Sequence, residues 1–187
     1  RFLGAMVGCL LLALAGWACA LTPEQALRLA AGESDDRIAA LNQLVAAGDP
    51  ALLPYVQALL DDEVKIAGGR ALIVRGETVV EAGSGAGATL PEDAEDVVNN
   101  NRMRQALEAV LAASRLSSPD RAVRAKAIAD LKDGADEGLF ALLDQASATE
   151  TDAGLKAQLE LLKAVALITS PDKDRRIAAA TLLADSG

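Results

Sequence analysis

Apolar residues recur at helical spacing along most of this chain, with one interruption. In the first helical part, Thr22 and Gln25 stand three positions apart, as in a capping box that begins a helix. Ser34 is placed to cap a second helix and Gly48 to end it. The inward positions of this part are aliphatic: Ile38, Leu41, Leu44, Val45, Leu52, Leu53, Val56, Leu59 and Leu60. We predict helical repeats over residues 21–62.

An alternating pattern replaces the helical one over residues 63–98. The short runs rich in β-branched residues, separated by glycine turns, are 64–67, 71–74 and 78–80. They predict a small antiparallel hairpin or meander inserted between the helical parts. The glycine-rich stretch 83–87 is expected to be a flexible loop, and 91–96 an acidic turn.

Helical spacing returns at Asn99 and continues over residues 99–187. A first helix begins near Asn99, and the later helix-sized stretches are about 119–132, 136–147, 152–168 and a last one from Pro171 almost to the end. Recurring helices of this size predict a mainly α fold. We interpret it as a HEAT-like helical-repeat solenoid that carries the small antiparallel β insertion.

A short phrase opens several of these helices. Its complete copies are Ser118-Pro119-Asp120-Arg121-Ala122-Val123-Arg124 and Ser170-Pro171-Asp172-Lys173-Asp174-Arg175-Arg176-Ile177, and weaker copies begin at Ser34 and Thr151. Ser or Thr is expected to be the N-cap, Pro to take the first helical position, and Asp to favour the positive end of the helix dipole.

The residues that follow this phrase are expected to pack between repeats. Val123 is predicted to lie on the apolar side of its helix, beside Ala127 and Leu131. The basic residues expected to pair with Asp120 and Asp174 across repeats are Arg121, Arg124, Arg175 and Arg176.

Residues 1–20 have the pattern of a secretory signal. Arg1 supplies a positive charge, an uncharged apolar run follows, and Ala18-Cys19-Ala20 places small residues where signal peptidase reads them. We expect export and cleavage after Ala20, with an uncleaved membrane anchor as the alternative. Both cysteines lie in this stretch, so the exported part is expected to fold without a disulfide. We also expect the natural protein to continue beyond Gly187.

Charge and composition argue against several classes of function. The formal net charge is −9 and aromatic residues are few, so nucleic-acid binding is not expected. The chain has no His and no Cys beyond residue 20, which excludes imidazole and thiol catalysis and the usual zinc sites there. The clustered carboxylates are Asp35-Asp36, Asp61-Asp62 and Glu92-Asp93 with Glu95-Asp96. We interpret them as helix-terminal or solvated charges rather than a catalytic pair. We predict no enzymatic activity, no cofactor and no metal.

Several stretches resemble one known family. They are 21–26, 58–62, 90–104 with its acidic turn and Asn triplet, and 118–124. Together they are similar to the N-terminal extracytoplasmic region of the urea-type ABC transporter permease, the B subunit of bacterial urea uptake, within the branched-chain amino acid permease family. The resemblance implies a place on the periplasmic side of the bacterial inner membrane, ahead of a membrane permease. It implies as partners a second permease, ATPases reached through the membrane part, and a periplasmic urea-binding protein.

The most concentrated polar cluster of the chain lies where the β insertion meets the second helical part. Its candidate contact residues are Asn99, Asn100, Asn101, Arg102 and Arg104. They are either a contact surface for another transporter part, or an N-cap with amides that bond the backbone at this junction. The leading hypothesis for function is a scaffold or docking surface in urea uptake. The alternatives are a free-standing periplasmic HEAT-repeat adaptor and, ranked lowest, a helical-repeat lyase.

Overall fold

A computed structural model describes residues 21–132 and 134–184, and the predicted signal at 1–20 lies outside them. The helices are α1 (Pro23–Ala30), α2 (Ser34–Ala47), α3 (Leu52–Leu60), α4 (Asn101–Ser114), α5 (Arg121–Asp130), α6 (Phe140–Thr149), α7 (Ala153–Ile168) and α8 (Lys173–Ala184). The strands are β1 (Val64–Ala67), β2 (Arg70–Arg75), β3 (Thr78–Glu81) and β4 (Glu95–Asp96). Short 3₁₀ helices, Arg115–Ser117 and Glu137–Leu139, follow α4 and precede α6. The described part is thus mainly helical with a small antiparallel sheet, as predicted.

The N-terminal helices begin and end largely where the sequence predicts. At α1 the capping box is present, since the Thr22 amide donates to Gln25 Oε1 over 2.7 Å and the Gln25 amide to Thr22 Oγ1 over 3.2 Å. Gly48 ends α2 with a φ of 69°, a left-handed conformation that glycine adopts without steric cost. The prediction that Ser34 caps α2 is wrong. Glu33 occupies the N-cap position, without a side-chain hydrogen bond to the helix.

The β insertion forms a four-stranded antiparallel sheet in the order β3-β2-β1-β4. Val64 of β1 lies opposite Ile73 of β2, and the β2–β3 hairpin completes the predicted meander. The expected acidic turn at 91–96 is wrong at its C-terminal end, because Glu95–Asp96 form β4 and pair with β1. Only their backbone joins the ladder. Their side chains stay exposed, and Asp96 Oδ1 lies 2.5 Å from Lys65 Nζ.

The glycine-rich stretch 83–87, expected to be a flexible loop, is a turn that hydrogen-bonds to the sheet, with Gly83 buried and 84–87 exposed. The Glu81 amide donates to the Ala86 carbonyl, and the Ala88 amide to the Val79 carbonyl, each over 2.9 Å. These bonds lie along the outer side of β3, so the stretch covers what would otherwise be an unpaired strand edge.

One apolar core connects the sheet with the helices around it. Its side chains come from α1 to α7 and from β1 and β2, and most of them are Leu, Ala or Val. Tyr55 of α3 is fully buried, and its hydroxyl donates to the Ala26 carbonyl of α1 over 2.9 Å. The β insertion is therefore packed against its helical neighbours through a shared core.

Aspartate, rather than serine, caps the helices that follow the recurring phrase. Asp120 Oδ1 and Asp172 Oδ1 each accept a hydrogen bond from the amide two positions on, over 2.8 Å in both cases. The Ser118 and Ser170 hydroxyls accept from the amides of those aspartates, over 3.2 and 3.1 Å. The predicted serine N-cap is therefore wrong. The serine hydroxyl closes a separate turn, and it lies two positions before the aspartate that caps the helix.

Val123 is not a core residue, contrary to the sequence prediction. It is 37% exposed, whereas Ala127 and Leu131 are fully buried. Because α5 begins only at Arg121, Val123 lies in the first turn of the helix, ahead of the buried part.

We expect Val123→Asp to change the free energy of unfolding by no more than about 0.5 kcal/mol, as is usual for an exposed position. A new carboxylate in the first turn of α5 also interacts favourably with the helix dipole. Thermal melts followed by circular dichroism test this, and a fall of several degrees or more relative to the unsubstituted chain contradicts the assigned exposure.

Candidate protein-contact site

The 99–104 segment enters α4 directly after the sheet. Val97 donates its amide to the Val64 carbonyl over 3.2 Å, which extends the β1–β4 pairing toward the segment. Asn100 is the N-cap of α4, and its Oδ1 accepts from the Met103 amide over 2.9 Å. The segment is therefore held at one end by the sheet and at the other by a helix cap.

Asn99 points into the protein and is only 8% exposed. Its Nδ2 donates to the Leu59 carbonyl near the end of α3 over 2.7 Å. Its Oδ1 accepts from Arg37 Nη2 over 2.5 Å. Both ends of the amide are thus used inside the chain, which the structural interpretation of the Asn triplet predicts.

Arg37 of α2 is the buried centre of this network, with an exposed fraction of 3%. Besides Asn99, its guanidinium donates to two backbone carbonyls, Leu29 through Nε over 2.7 Å and Val98 through Nη1 over 3.0 Å. Burial lowers the pKa of Arg37, and the three oxygen acceptors take the place of solvent. The guanidinium therefore connects α1, α2 and the start of the second helical part.

The remaining polar residues of the segment bind the chain's own N-terminal helices. Asn100 Nδ2 donates to Ser34 Oγ over 2.7 Å, and Arg102 pairs with Asp35, both at the start of α2. Arg104 forms a bidentate pair with Asp62, 2.7 Å to each carboxylate oxygen.

Asp35 and Asp62 each belong to one of the carboxylate pairs seen in the sequence, so these pairs take part in contacts within the chain. Arg102 forms its ion pair at the surface with 66% of its side chain exposed, and Asn100 and Asn101 are exposed as well. A role of the segment in protein contact stays a prediction, and it rests on these exposed side chains rather than on the buried Asn99.

Asn99→Ala should lower the free energy of unfolding by about 2 kcal/mol, because it leaves the Leu59 carbonyl and one arm of the Arg37 guanidinium without partners. Asn101→Ala is the matched control, since Asn101 is exposed in the same segment and its side chain takes no part in the buried network. Chemical denaturation of both variants tests the difference. Equal midpoints for the two contradict the buried role of Asn99.

Each complete copy of the recurring phrase places an arginine over the turn that precedes its helix. Arg124 Nη1 donates to the carbonyls of the preceding Ser-Pro pair over 3.0 and 3.2 Å. Arg176 Nη1 makes the same two contacts over 2.7 and 2.9 Å, 52 positions later. The phrase therefore encodes one local structure that occurs twice.

The carboxylates that these basic residues bind differ from the predicted ones. Arg121 Nε lies 2.7 Å from Asp152, and Arg124 binds both oxygens of Glu150 over 2.7 and 3.0 Å. The predicted partner Asp120 caps its own helix instead. Arg175 Nη1 likewise lies 3.0 Å from Glu137, whereas Arg176 binds only the carbonyls of its own turn. The expectation of contacts between separate helical segments therefore holds for three of the four arginines, and the expectation of Asp120 and Asp174 as partners is wrong.

Glu150 and Asp152 flank the turn between α6 and α7, which we call the Glu-x-Asp turn, residues 150–152. The hydrogen bond from Arg121 lowers the pKa of Asp152 to about 2, and the hydrogen bond from Arg124 lowers the pKa of Glu150. Asp152 Oδ1 also accepts from the Leu155 amide over 2.9 Å and so caps α7. The turn thus presents two ionised carboxylates to a pair of arginines.

Sequence reasoning missed Arg37 and the Glu-x-Asp turn. A signal for Arg37 exists, because it stands four positions before Leu41 on the inward face of α2. No comparable local signal marks the turn, since its partners lie 26 to 31 positions away.

Three further findings concern membrane helices, metal ligands and similarity to known proteins. Over residues 21–132 and 134–184, no helix has both the length and the apolar character needed to cross a membrane. In the same part, no group of three or more acidic side chains is arranged to hold a metal ion. No family model, curated protein or solved structure matches this chain.

Proposed function

We propose that this chain is a helical-repeat scaffold that docks other proteins on the extracytoplasmic side of the bacterial inner membrane. The single observation that carries the proposal is the recurrence of one turn structure in α5 and α8, each with an arginine donating to the preceding Ser-Pro carbonyls. Structural units that repeat along a chain build extended surfaces, and such surfaces serve contact between proteins more often than catalysis.

The transport assignment within this proposal rests on the resemblance to the urea-type permease region. In that assignment the chain precedes a membrane permease and works with a second permease, two ATPases and a periplasmic urea-binding protein. The most specific stretch of the resemblance is the acidic turn that runs into the Asn triplet. Through the buried Arg37–Asn99 contact, this stretch also helps to hold the fold together.

Removal of residues 21–184 from the natural gene tests the transport assignment. In a bacterium that carries the gene and grows on urea as its nitrogen source, the deletion should abolish accumulation of labelled urea, while amino acid uptake continues. The abundance of the remaining protein in the membrane fraction is measured in parallel. Unchanged urea uptake overturns the assignment, and if another envelope complex then loses its assembly, the free-standing adaptor becomes the better account.

The purified chain should not bind urea with a dissociation constant below about 1 mM. Capture of so small a polar molecule requires several donors and acceptors that converge in a closed pocket. Over the described residues, every buried side-chain nitrogen and oxygen already has a hydrogen-bond partner, which leaves none aimed at a ligand. Isothermal titration calorimetry checks this, and a saturable isotherm at micromolar urea contradicts the scaffold role.

A further inference from the structure

An open apolar cavity lies where the two helical parts of the chain meet. It is bounded by the end of α2 and the start of α3 on one side, and by α4, Arg115–Ser117 and α6 on the other. Its volume is about 280 Å³. The aliphatic side chains that line it are Leu44, Val45, Leu52, Leu53, Val110 and Leu142. A junction of several helices is a usual place for a ligand site, and none of the contacts described above occupies this one.

The packing of the surrounding helices holds the floor of the cavity in place. Leu44, Val45, Leu52 and Val110 are each at most 6% exposed and belong to the common core. Beside them, Gly48 ends α2 in a left-handed conformation, and a Cβ there would meet open space in the part of the chain that the structure describes. A ligand can therefore cover apolar surface here without first requiring a helix to move.

Polar groups with free bonding capacity stand at the rim of the cavity. Asp49 Oδ1 accepts from the Ala51 amide over 2.9 Å, and among the described residues no cation pairs with this carboxylate. The Ser117 hydroxyl and the Gln145 side-chain amide also line the cavity, and neither has a hydrogen-bond partner within 21–132 and 134–184. Asp49 is the only charged residue of the described lining. The rim therefore favours a cationic group that donates hydrogen bonds.

The volume limits the size of the ligand. It is nearly twice that of an apolar cavity of about 150 Å³ that holds benzene. It also lies just below the range of roughly 300 to 1,000 Å³ that is usual for drug-sized ligands. One ring or a short aliphatic chain with a two-atom arm therefore fits. Urea has no apolar part that could cover the aliphatic floor.

We propose that this cavity binds a small cationic amphiphile, an ammonium group carried on one aromatic ring or a short aliphatic tail. The ammonium lies at the rim and pairs with Asp49, with the Ser117 and Gln145 oxygens as further acceptors. The tail covers Val110 and its aliphatic neighbours. This site is independent of the scaffold role and of urea uptake, so failure of its test is distinguishable from failure of either.

Phenethylammonium is the probe, and methyl NMR of the whole chain is the readout. The Leu52, Val110 and Leu142 methyl signals should shift to saturation with a dissociation constant of about 1 mM, within the range expected for nine non-hydrogen atoms. The signals of Val79 and Leu182, which do not line the cavity, should stay in place. The neutral isostere 2-phenylethanol should bind about fivefold more weakly, the upper range for a half-exposed ion pair, and 3-phenylpropanoate should not bind measurably.

Asp49→Asn should remove the preference for the ammonium over the alcohol, which a merely structural role of Asp49 would not do. Asp93→Asn is the matched control, since it removes the same charge from an exposed position outside the cavity, and it should keep the preference. Leu142→Trp, on the half-buried wall, should fill the cavity and weaken both probes at least tenfold. If circular dichroism shows that this variant does not fold, the methyl shifts of the unsubstituted chain decide.

The proposal is overturned if the cavity methyl signals do not shift up to about 10 mM phenethylammonium, tenfold above the expected dissociation constant. It is also overturned if the ammonium and the alcohol bind equally well, because the carboxylate at the rim then has no part in recognition. An equal loss of preference in Asp49→Asn and Asp93→Asn overturns it as well, since attraction to the net charge of −9 then explains the binding.

Discussion

Arg37→Met should lower the free energy of unfolding by roughly 3 to 5 kcal/mol, a large share of the 5 to 15 kcal/mol typical of a domain. The substitution keeps most of the buried apolar volume but removes three hydrogen bonds. It leaves the Leu29 and Val98 carbonyls and Asn99 Oδ1 without a donor in a site that is 3% exposed. Guanidinium denaturation followed by circular dichroism measures the loss.

Arg28→Met is the control for this prediction, since Arg28 is an exposed arginine on α1 and its loss should cost little. Combining Arg37→Met with Asn99→Ala should cost less than the sum of the two single changes, because both remove the same contact. A loss below about 1 kcal/mol for Arg37→Met contradicts the buried network.

Gly83→Ala should cost about 3 kcal/mol, at the upper end of the usual range for overpacking. A Cβ at Gly83 would lie 2.5 Å from the Pro23 backbone nitrogen and 2.8 Å from the Thr22 carbonyl carbon. Both are backbone atoms at the start of α1, fixed by the capping box, so neither moves aside cheaply. The sheet and α1 should separate slightly, and thermal melts report the loss.

Gly87→Ala is the matched control within the same stretch. A Cβ at Gly87 meets no atom within 4 Å, and its φ does not lie in the left-handed region. We expect its melting temperature to stay within a few degrees of the unsubstituted chain. Equal losses for the two variants would mean that the 83–87 stretch does not pack on the start of α1 as described.

The element types could be predicted because they depend on local pattern. Helical spacing, the change to alternation near Val64 and the return near Asn99 each reflect which face of a short segment is apolar. The capping box at Thr22 and the glycine at the end of α2 are also local signals, and both are confirmed.

The failures are those that local pattern cannot decide. Ser118 and Asp120 are both good caps, and the choice between them depends on which amide each oxygen reaches once the turn has formed. Arg37 has a polar side chain on an inward position, and its acceptors include residues 61 and 62 positions away. The packing of Gly83 on Pro23 likewise joins two distant parts of the chain.

The same limit applies to the candidate site. Sequence alone presents the 99–104 segment as a polar cluster, which suits either an outer surface or an internal junction and favours the junction. The structure turns Asn99 inward and engages Arg104 with Asp62, so Asn101 is left as an outward polar group of the segment. The recurrence of the α5 turn at α8 is recognised only once the acceptors of Arg124 and Arg176 are known.

Crosslinking inside cells tests the docking role most directly. A photoreactive amino acid replaces Ile177 on α8 in the natural full-length protein, and a control chain carries it at Glu77, exposed in the β2–β3 turn. After irradiation of cells growing on urea, mass spectrometry identifies the attached proteins. The account predicts an adduct at Ile177 with a single transporter subunit, absent at Glu77. Adducts that are no more frequent at Ile177 than at Glu77 would contradict it.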